Sequence, residues 1–179
     1  MTTTTNFNII FETERLIVRL YDLNDEESFF LLNGDEEVVR YIRPAKTKDE
    51  CAIFLGEIIK YSEENPTSGR WAVDEKATNK NIGMFAIIPV DNSDRLQLGY
   101  SFLKGSWGKG YSTELTKAGI TYFFNTTNKN EVYGITETPN IASQKVLLKC
   151  GFKLNSSYTK GEREIQEYVF YRPEILALL

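Results

Sequence analysis

Apolar residues fall along this chain in short blocks that switch between a period of two and a period of three to four. Arg15 to Tyr21 (RLIVRLY) is a compact aliphatic and β-branched run leading into Asp22, Asn24 and Asp25, which predicts a strand followed by the turn and cap of a helix. Asp25 to Asn33 carries Phe29, Phe30 and Leu32, and Asp49 to Glu64 places Ile53, Phe54, Ile58 and Tyr61 at helical spacing, so two helices follow. Asn65, Pro66, Ser68 and Gly69 end that pattern. Beyond them Arg70 to Asp74, Ile82 to Val90 and Leu96 to Leu103 read as an antiparallel meander joined by Asn/Lys and Asp/Asn/Ser turns. Gly105 to Gly110 opens into a predicted helix over Tyr111 to Asn125, with an apolar stripe through Leu115, Ala118 and Tyr122. Val132 to Thr136 is a further strand, Asn140 to Cys150 a helix stopped by Gly151, and Leu154 to Tyr158 with Ile165 to Tyr171 a closing strand pair.

Strand-helix-strand units embedded among hairpins predict an α/β protein of the α+β type. Its sheet is expected to be mixed and mostly antiparallel, with about six or seven strands flanked on both faces by about four helices. No repeat or linker interrupts the 179 residues, so one domain over 1–179 is expected, with residues 1–11 as a flexible or loosely packed arm. The apolar end, Pro173 to Leu179, is expected to pack on the body or on a second copy in a homodimer.

Composition removes whole classes of chemistry. The chain contains no histidine, which excludes the commonest general base, the commonest metal ligand and every Ser-His-Asp or Cys-His mechanism. Cys51 and Cys150 stand far apart, with no CxxC pair and no zinc-ligand set; both are expected to be buried thiols, and no metal is expected. A formal charge of -4 argues against general affinity for nucleic acid or anionic membranes. Met1 to Asn8 lacks the basic start and apolar core of a signal peptide, and a cytoplasmic location is expected.

The segment Trp107-Gly108-Lys109-Gly110-Tyr111-Ser112 lies between a predicted strand and a predicted helix. Gly108 and Gly110 permit a tight turn whose amides point into one concavity, and the helix start adds positive partial charge, which suits a phosphate or pyrophosphate. The same spacing also fits a plain strand-to-helix turn. A Walker A loop fails because Lys109 is followed by Gly110, and a dinucleotide fingerprint fails because Thr113 stands at its third glycine.

These residues resemble the pyrophosphate loop of the GCN5-related N-acetyltransferases, with Trp107 at the Gln/Arg position, Gly110 at the required glycine and Ser112 at the last small position. The Trp-Gly-Lys-Gly-Tyr variant is similar to the branch of ribosomal-protein N-terminal (RimJ/RimL-like) acetyltransferases. Glu12-Thr13-Glu14-Arg15-Leu16, Leu98-Gly99-Tyr100, and Asn140-Ile141-Ala142-Ser143 leading to Lys149-Cys150-Gly151-Phe152 resemble other segments of that branch. The resemblance implies acetyl-CoA as donor and an amine as acceptor, the α-amine of a protein or peptide or else a small amine such as a polyamine, amino acid or aminoglycoside. A binding module that senses acyl-CoA without turnover is the reading from another class. By the same resemblance the amides of Gly108, Lys109, Gly110, Tyr111 and Ser112 hold the pyrophosphate, Phe102 and Leu103 pair with the pantetheine arm, and Asn140 meets that arm or simply caps its helix.

Transfer needs a neutral amine and a proton for the departing thiolate. At pH 7 a lysine must shed a proton at a cost of about 4.6 kcal/mol, an α-amine at about 1 to 1.4 kcal/mol, so an α-amine manages with a weak base. The resemblance assigns Ser143 as hydroxyl donor to the thiolate and Glu162 as acceptor of the amine's proton, with Glu137, Glu164 and Glu167 as competing carboxylates. Gln97 stands where many relatives carry Glu and cannot act as a base. Tyr100, Trp71, Phe85 and Tyr133 read as core or cross-strand aromatics rather than as catalytic groups.

Overall fold

The protein is described by a computed structural model covering residues 8–91 and 93–173. The apolar end from Glu174 to Leu179, expected to pack on the body or a partner, lies outside the described residues, as does the arm up to residue 7.

Eight strands form one sheet: β1 (Ile9–Glu12), β2 (Leu16–Arg19), β3 (Gly69–Glu75), β4 (Lys80–Pro89), β5 (Leu96–Phe102), β6 (Glu131–Glu137), β7 (Lys153–Lys160) and β8 (Arg163–Tyr171), in the order β1-β2-β3-β4-β5-β6-β8-β7. Every neighbouring pair is antiparallel except β5 with β6. Five helices accompany them: α1 (Glu26–Asn33), α2 (Glu36–Val39), α3 (Lys48–Glu64), α4 (Tyr111–Thr126) and α5 (Ile141–Lys149). The sheet class and element order agree with the sequence pattern, while the counts are one strand and one helix higher.

The two added elements are the shortest ones. β1 holds only four residues, Ile9-Ile10-Phe11-Glu12, after a polar Thr/Asn run, and it exists because its backbone pairs with β2 and its Phe11 ring packs edge-on against Phe85 at 5.4 Å. Residues 9–11 are therefore strand, not arm. α2 is a single turn, Glu36-Glu37-Val38-Val39, capped by the Asp35 carboxylate, which accepts from the amides of Glu37 and Val38. One turn shows no periodicity to read.

Two cores flank the sheet. On one face α4 and α5 cover Trp71, Val73, Phe85 and Ile87; on the other α1 to α3 cover Ala72 and Met84, as strand alternation requires. Gly119 lets α4 approach β4: a Cβ there would lie 2.4 Å from the Phe85 ring. α3 starts on a reciprocal cap, Thr47 Oγ1 accepting from the Glu50 amide at 3.3 Å and the Glu50 carboxylate accepting from the Thr47 amide at 2.7 Å. Under α1 the buried Arg19 guanidinium donates to Asp25 at 2.8 Å and to Asp74 at 2.5 Å, which joins β2 and β3 to the turn that begins α1. Cys51 and Cys150 are buried free thiols.

Candidate functional site

The glycine segment joins the end of β5 to the start of α4. Gly108 and Gly110 adopt φ of +74° and +82°, left-handed values open mainly to glycine, and Gly110 is the cap residue of α4. Among the described residues, no group accepts a hydrogen bond from the amides of Gly108, Lys109, Gly110, Tyr111 or Ser112. Five successive donors at a helix N-terminus form a cradle for an anion. The Lys109 side chain is exposed, 6.0 Å from the Tyr111 ring centre.

A brace from the other end of the chain shapes this cradle. The Glu114 carboxylate accepts from Thr13 Oγ1 at 2.6 Å, from the Arg15 amide at 2.9 Å and from Arg15 Nε at 2.7 Å. Arg15 in turn donates to the Lys109 carbonyl at 3.0 Å and stacks its guanidinium 4.5 Å from the centre of the Tyr111 ring. The Tyr111 hydroxyl donates to Glu75 at 2.5 Å, so the first turn of α4 is fastened to β3 as well. Hydrogen bonds to Thr13 and Arg15 hold the Glu114 carboxyl below its usual range, outweighing the opposing effect of burial. Thr13 and Arg15 stand in a recognisable segment, but nothing in it marks them for this task. Their partner lies a hundred residues away, and no local spacing reveals it.

Beside the cradle the sheet opens. β4 and β5 stay in register over seven positions, whereas β5 and β6 meet only at Gln97 and Tyr133. Beyond that point the two strands diverge. The Leu103 amide donates to Ile82 of β4 at 2.9 Å and its carbonyl accepts from Ser106, so the backbone donor of Leu103 is committed to β4. Alternation along β5 turns the backbone groups of Tyr100 and Phe102 toward the gap. The Phe102 carbonyl is taken by the Trp107 indole N–H at 2.7 Å. The accessible edge is therefore Tyr100 and the Phe102 amide, one step earlier on the strand than the Phe102 and Leu103 pair expected from sequence.

Two hydroxyl residues, Tyr100 of β5 and Thr136 of β6, face α5 and its Ser143 from this opening. The Tyr100 phenol is buried without a partner at hydrogen-bonding geometry, and burial pushes it up to about 12, a shift the Ser143 hydroxyl beside it partly opposes. Gly134 of β6 packs against Leu147 of α5, and by alternation Thr136 faces the same way; its buried Oγ1 also has no partner among the described residues. Buried hydroxyls left without partners in a well-packed protein mark a place where another group belongs. Asn140 caps α5 through Oδ1, which accepts from the Ser143 amide at 3.2 Å, and its Nδ2 is uncommitted among the described residues. Tyr100 reads from sequence as a core aromatic, and its proximity to Ser143 makes it part of the site.

The candidate bases are scattered. Glu162 sits exposed in the two-residue turn between β7 and β8. Glu137, at the end of β6, is ion-paired with Arg163, which accepts no proton and also donates to the Tyr41 carbonyl at 2.9 Å. Glu167 is buried, accepting from Asn155 at 2.8 Å and from Arg95 at 3.1 Å. Glu164 is exposed on β8. The Gln97 amide donates weakly to the Pro89 carbonyl at 3.4 Å. Among the described residues no cluster of Cys, Asp and Glu is arranged to hold a metal ion, and no helix is long and apolar enough to cross a membrane.

Residues 15–153 match the family model of the acetyltransferase (GNAT) domain. An uncharacterized N-acetyltransferase of Bacillus subtilis (strain 168), YoaA, is 27% identical over 146 residues, covering 80% of this chain and 82% of that protein. A GNAT-family acetyltransferase from Bacillus anthracis shares the fold with a TM-score of 0.79 at 19% identity, over 89% of this chain and 96% of the other. RimL, a ribosomal L7/L12 α-N-protein acetyltransferase solved with coenzyme A, superposes with a TM-score of 0.76 at 15% identity, over 91% of this chain and 97% of its own.

Proposed function

The chain belongs to the GNAT family of acetyltransferases, and from that premise we propose that it acetylates an α-amine at the opening between β5 and β6, in the manner of the ribosomal-protein-like branch. The observation that carries this reading is the divergence of β5 from β6 beside a loop of uncommitted amides, with the buried Tyr100 hydroxyl in between. Neighbours of the same fold have been solved with CoA or acetyl-CoA, and the residues here fit that donor. Acetyl-CoA supplies the activated thioester.

Each part of the site then has a task. The amides of Gly108 to Ser112 hold the pyrophosphate, and Lys109 adds a charge at the rim. Tyr100 and the Phe102 amide pair with the pantetheine arm as an added strand would, and Asn140 Nδ2 reaches the same arm while Oδ1 keeps α5 capped. Ser143 and Tyr100 hold a proton next to the thiol position. A phenol kept protonated to about pH 12 remains a donor throughout the range in which the amine loses its own proton. Glu162 takes that proton at the solvent rim. This modest base suffices because an α-amine needs only about 1 to 1.4 kcal/mol to be neutral at pH 7.

The test incubates the protein with acetyl-CoA and two matched peptide sets, one with a free α-amine and blocked lysines, the other reversed, and reads acetyl gain by mass spectrometry. Labelling of the α-amine set alone, lost in Ser143→Ala, is the expected result. Labelling of the lysine set alone overturns the α-amine assignment.

A further inference from the structure

Three cations converge on one phenyl ring on the face of the sheet covered by α1 to α3. The Arg43 guanidinium lies 5.3 Å from the centre of the Phe54 ring, the Arg70 guanidinium 5.6 Å and the Lys46 ammonium 5.1 Å. Among the described residues no carboxylate forms an ion pair with any of them, although ten other ion pairs are present. Arg43 gives one nitrogen to the Asn33 side chain, but its Nε is buried with no partner among the described residues. Arg70 donates to nothing among the described residues. Both guanidiniums are partly buried, and burial lowers the pKa of each; Arg70 lowers that of Arg43 further by repulsion. Contact with a phenyl face compensates only part of the cost of two desolvated like charges that repel one another. A bound anion does.

The position of this cluster says which molecule brings the anion. Ala72 and Met84 belong to the core under α1 to α3, so by alternation Arg70 and Ala86 point to that face too. Arg70 is in register with Ala86, and Ala86 with Gly99, which makes one row across β3, β4 and β5. Gly99 stands two residues beyond Gln97, the last position where β5 meets β6. The floor of this row is open at its near end, because a Cβ on Gly99 would meet only the Ala86 Cβ, at 3.9 Å. Two strand spacings put Arg70 roughly 10 Å from Gly99, and the long arginine side chain shortens that gap.

We infer that Arg43 and Arg70, with Lys46 at their edge, form an anion subsite at the end of the row that runs from the opening between β5 and β6, so that the amine acetylated by this enzyme carries a carboxylate or phosphate group. The inference rests on the acetyltransferase reading for the words amine and acceptor, and on the cation cluster alone for the anion. It predicts the wrong charge for a polyamine, whose second ammonium would face two guanidiniums.

Two measurements separate these layers. The first compares kcat/KM for four acceptors of equal length, 4-aminobutanoate, 4-aminobutyl phosphate, 4-aminobutanol and 1,4-diaminobutane, together with Ala-Asp and Ala-Asn peptides. A tenfold or greater preference for the anionic member of each pair is expected, abolished in Arg70→Gln, with the KM for acetyl-CoA unchanged. The carboxylate, phosphate and peptide arms identify the source of the anion. Equal turnover of neutral and anionic acceptors, or a preference that survives in Arg70→Gln, overturns the subsite. The second measurement needs no turnover: wild-type protein is treated with phenylglyoxal, with and without inorganic phosphate, and adducts at Arg43 and Arg70 are read by peptide mass spectrometry. Protection of both arginines supports the subsite even where no acceptor is acetylated, and equal modification with and without phosphate refutes it.

Discussion

Replacing Arg15 with alanine tests whether the brace between the two ends of the chain shapes the donor site. The change removes donors to the Glu114 carboxylate at 2.7 and 2.6 Å, a donor to the Lys109 carbonyl at 3.0 Å and the stacking on Tyr111 at 4.5 Å. Charge-assisted hydrogen bonds contribute about 1.5 to 3 kcal/mol when shielded and about 0.2 to 1 when exposed. The Arg15 side chain is 43% exposed and that of Glu114 19%, so solvent screens one side of the pair. A total of about 1 to 2 kcal/mol follows, which corresponds to roughly a five- to thirtyfold loss of affinity where it falls on binding. Because the Lys109 carbonyl sits inside the amide cradle, the loss should fall on acetyl-CoA. Isothermal titration with CoA, and initial rates over acetyl-CoA concentration, are expected to show that increase in Kd and KM with kcat and acceptor KM unchanged. Arg15→Lys, which keeps the charge but not the fork, should lie between. A Kd within twofold of wild type in Arg15→Ala, accompanied by a lower Tm, would refute the reasoning: the brace would then hold the fold and leave the cradle untouched.

Other expectations are independent of that one. Tyr100→Phe and Ser143→Ala should each lower kcat by about ten- to a hundredfold with little change in acetyl-CoA KM, as for loss of one proton-transfer partner, and a double variant no worse than the worse single would show that the pair acts as a unit. Burial raises the Tyr100 phenol from 10 to about 12, so its stabilising contribution is complete below pH 10 and lost as pH climbs through 12. Urea midpoints should accordingly fall less steeply between pH 10 and 12 in Tyr100→Phe than in wild type. Gly119→Ala should cost about 1 to 3 kcal/mol of stability, read by urea denaturation, because its Cβ would meet the fully buried Phe85 ring at 2.4 Å. Asp25→Asn removes one of the carboxylates to which the buried Arg19 donates, and about 3 kcal/mol or more should be lost.

Much of the fold follows from local pattern. Strand-like runs marked β2 to β8, helical spacing marked α1, α3, α4 and α5, and the caps Asp22, Asn140 and Gly110 sit where the short polar or glycine residues announced them. β1 and α2 escaped because four residues span less than the window over which a period can be counted. In the site, the glycine loop was legible because left-handed backbone demands glycine at 108 and 110. Its bracing by Thr13, Arg15 and Glu114 was not, since those partners meet only after β2 and α4 have packed at opposite ends of the chain's path.

The sequence by itself determined the chemistry that is excluded, by lacking histidine, and the chemistry that is invited, by the order of a strand, a glycine turn and a helix. Tertiary structure decided which side chains act together. Tyr100 changed from a core aromatic to a neighbour of Ser143 because β5 leaves β6 after Gln97, and a strand's departure from its partner is a property of the whole twisted sheet. Glu137 was neutralised by Arg163, Glu162 was carried to a hairpin tip, and Arg43 and Arg70 were brought over one ring from different elements. Charge pairing and burial depend on distances in three dimensions, and those are fixed only when the sheet and its helices close on one another.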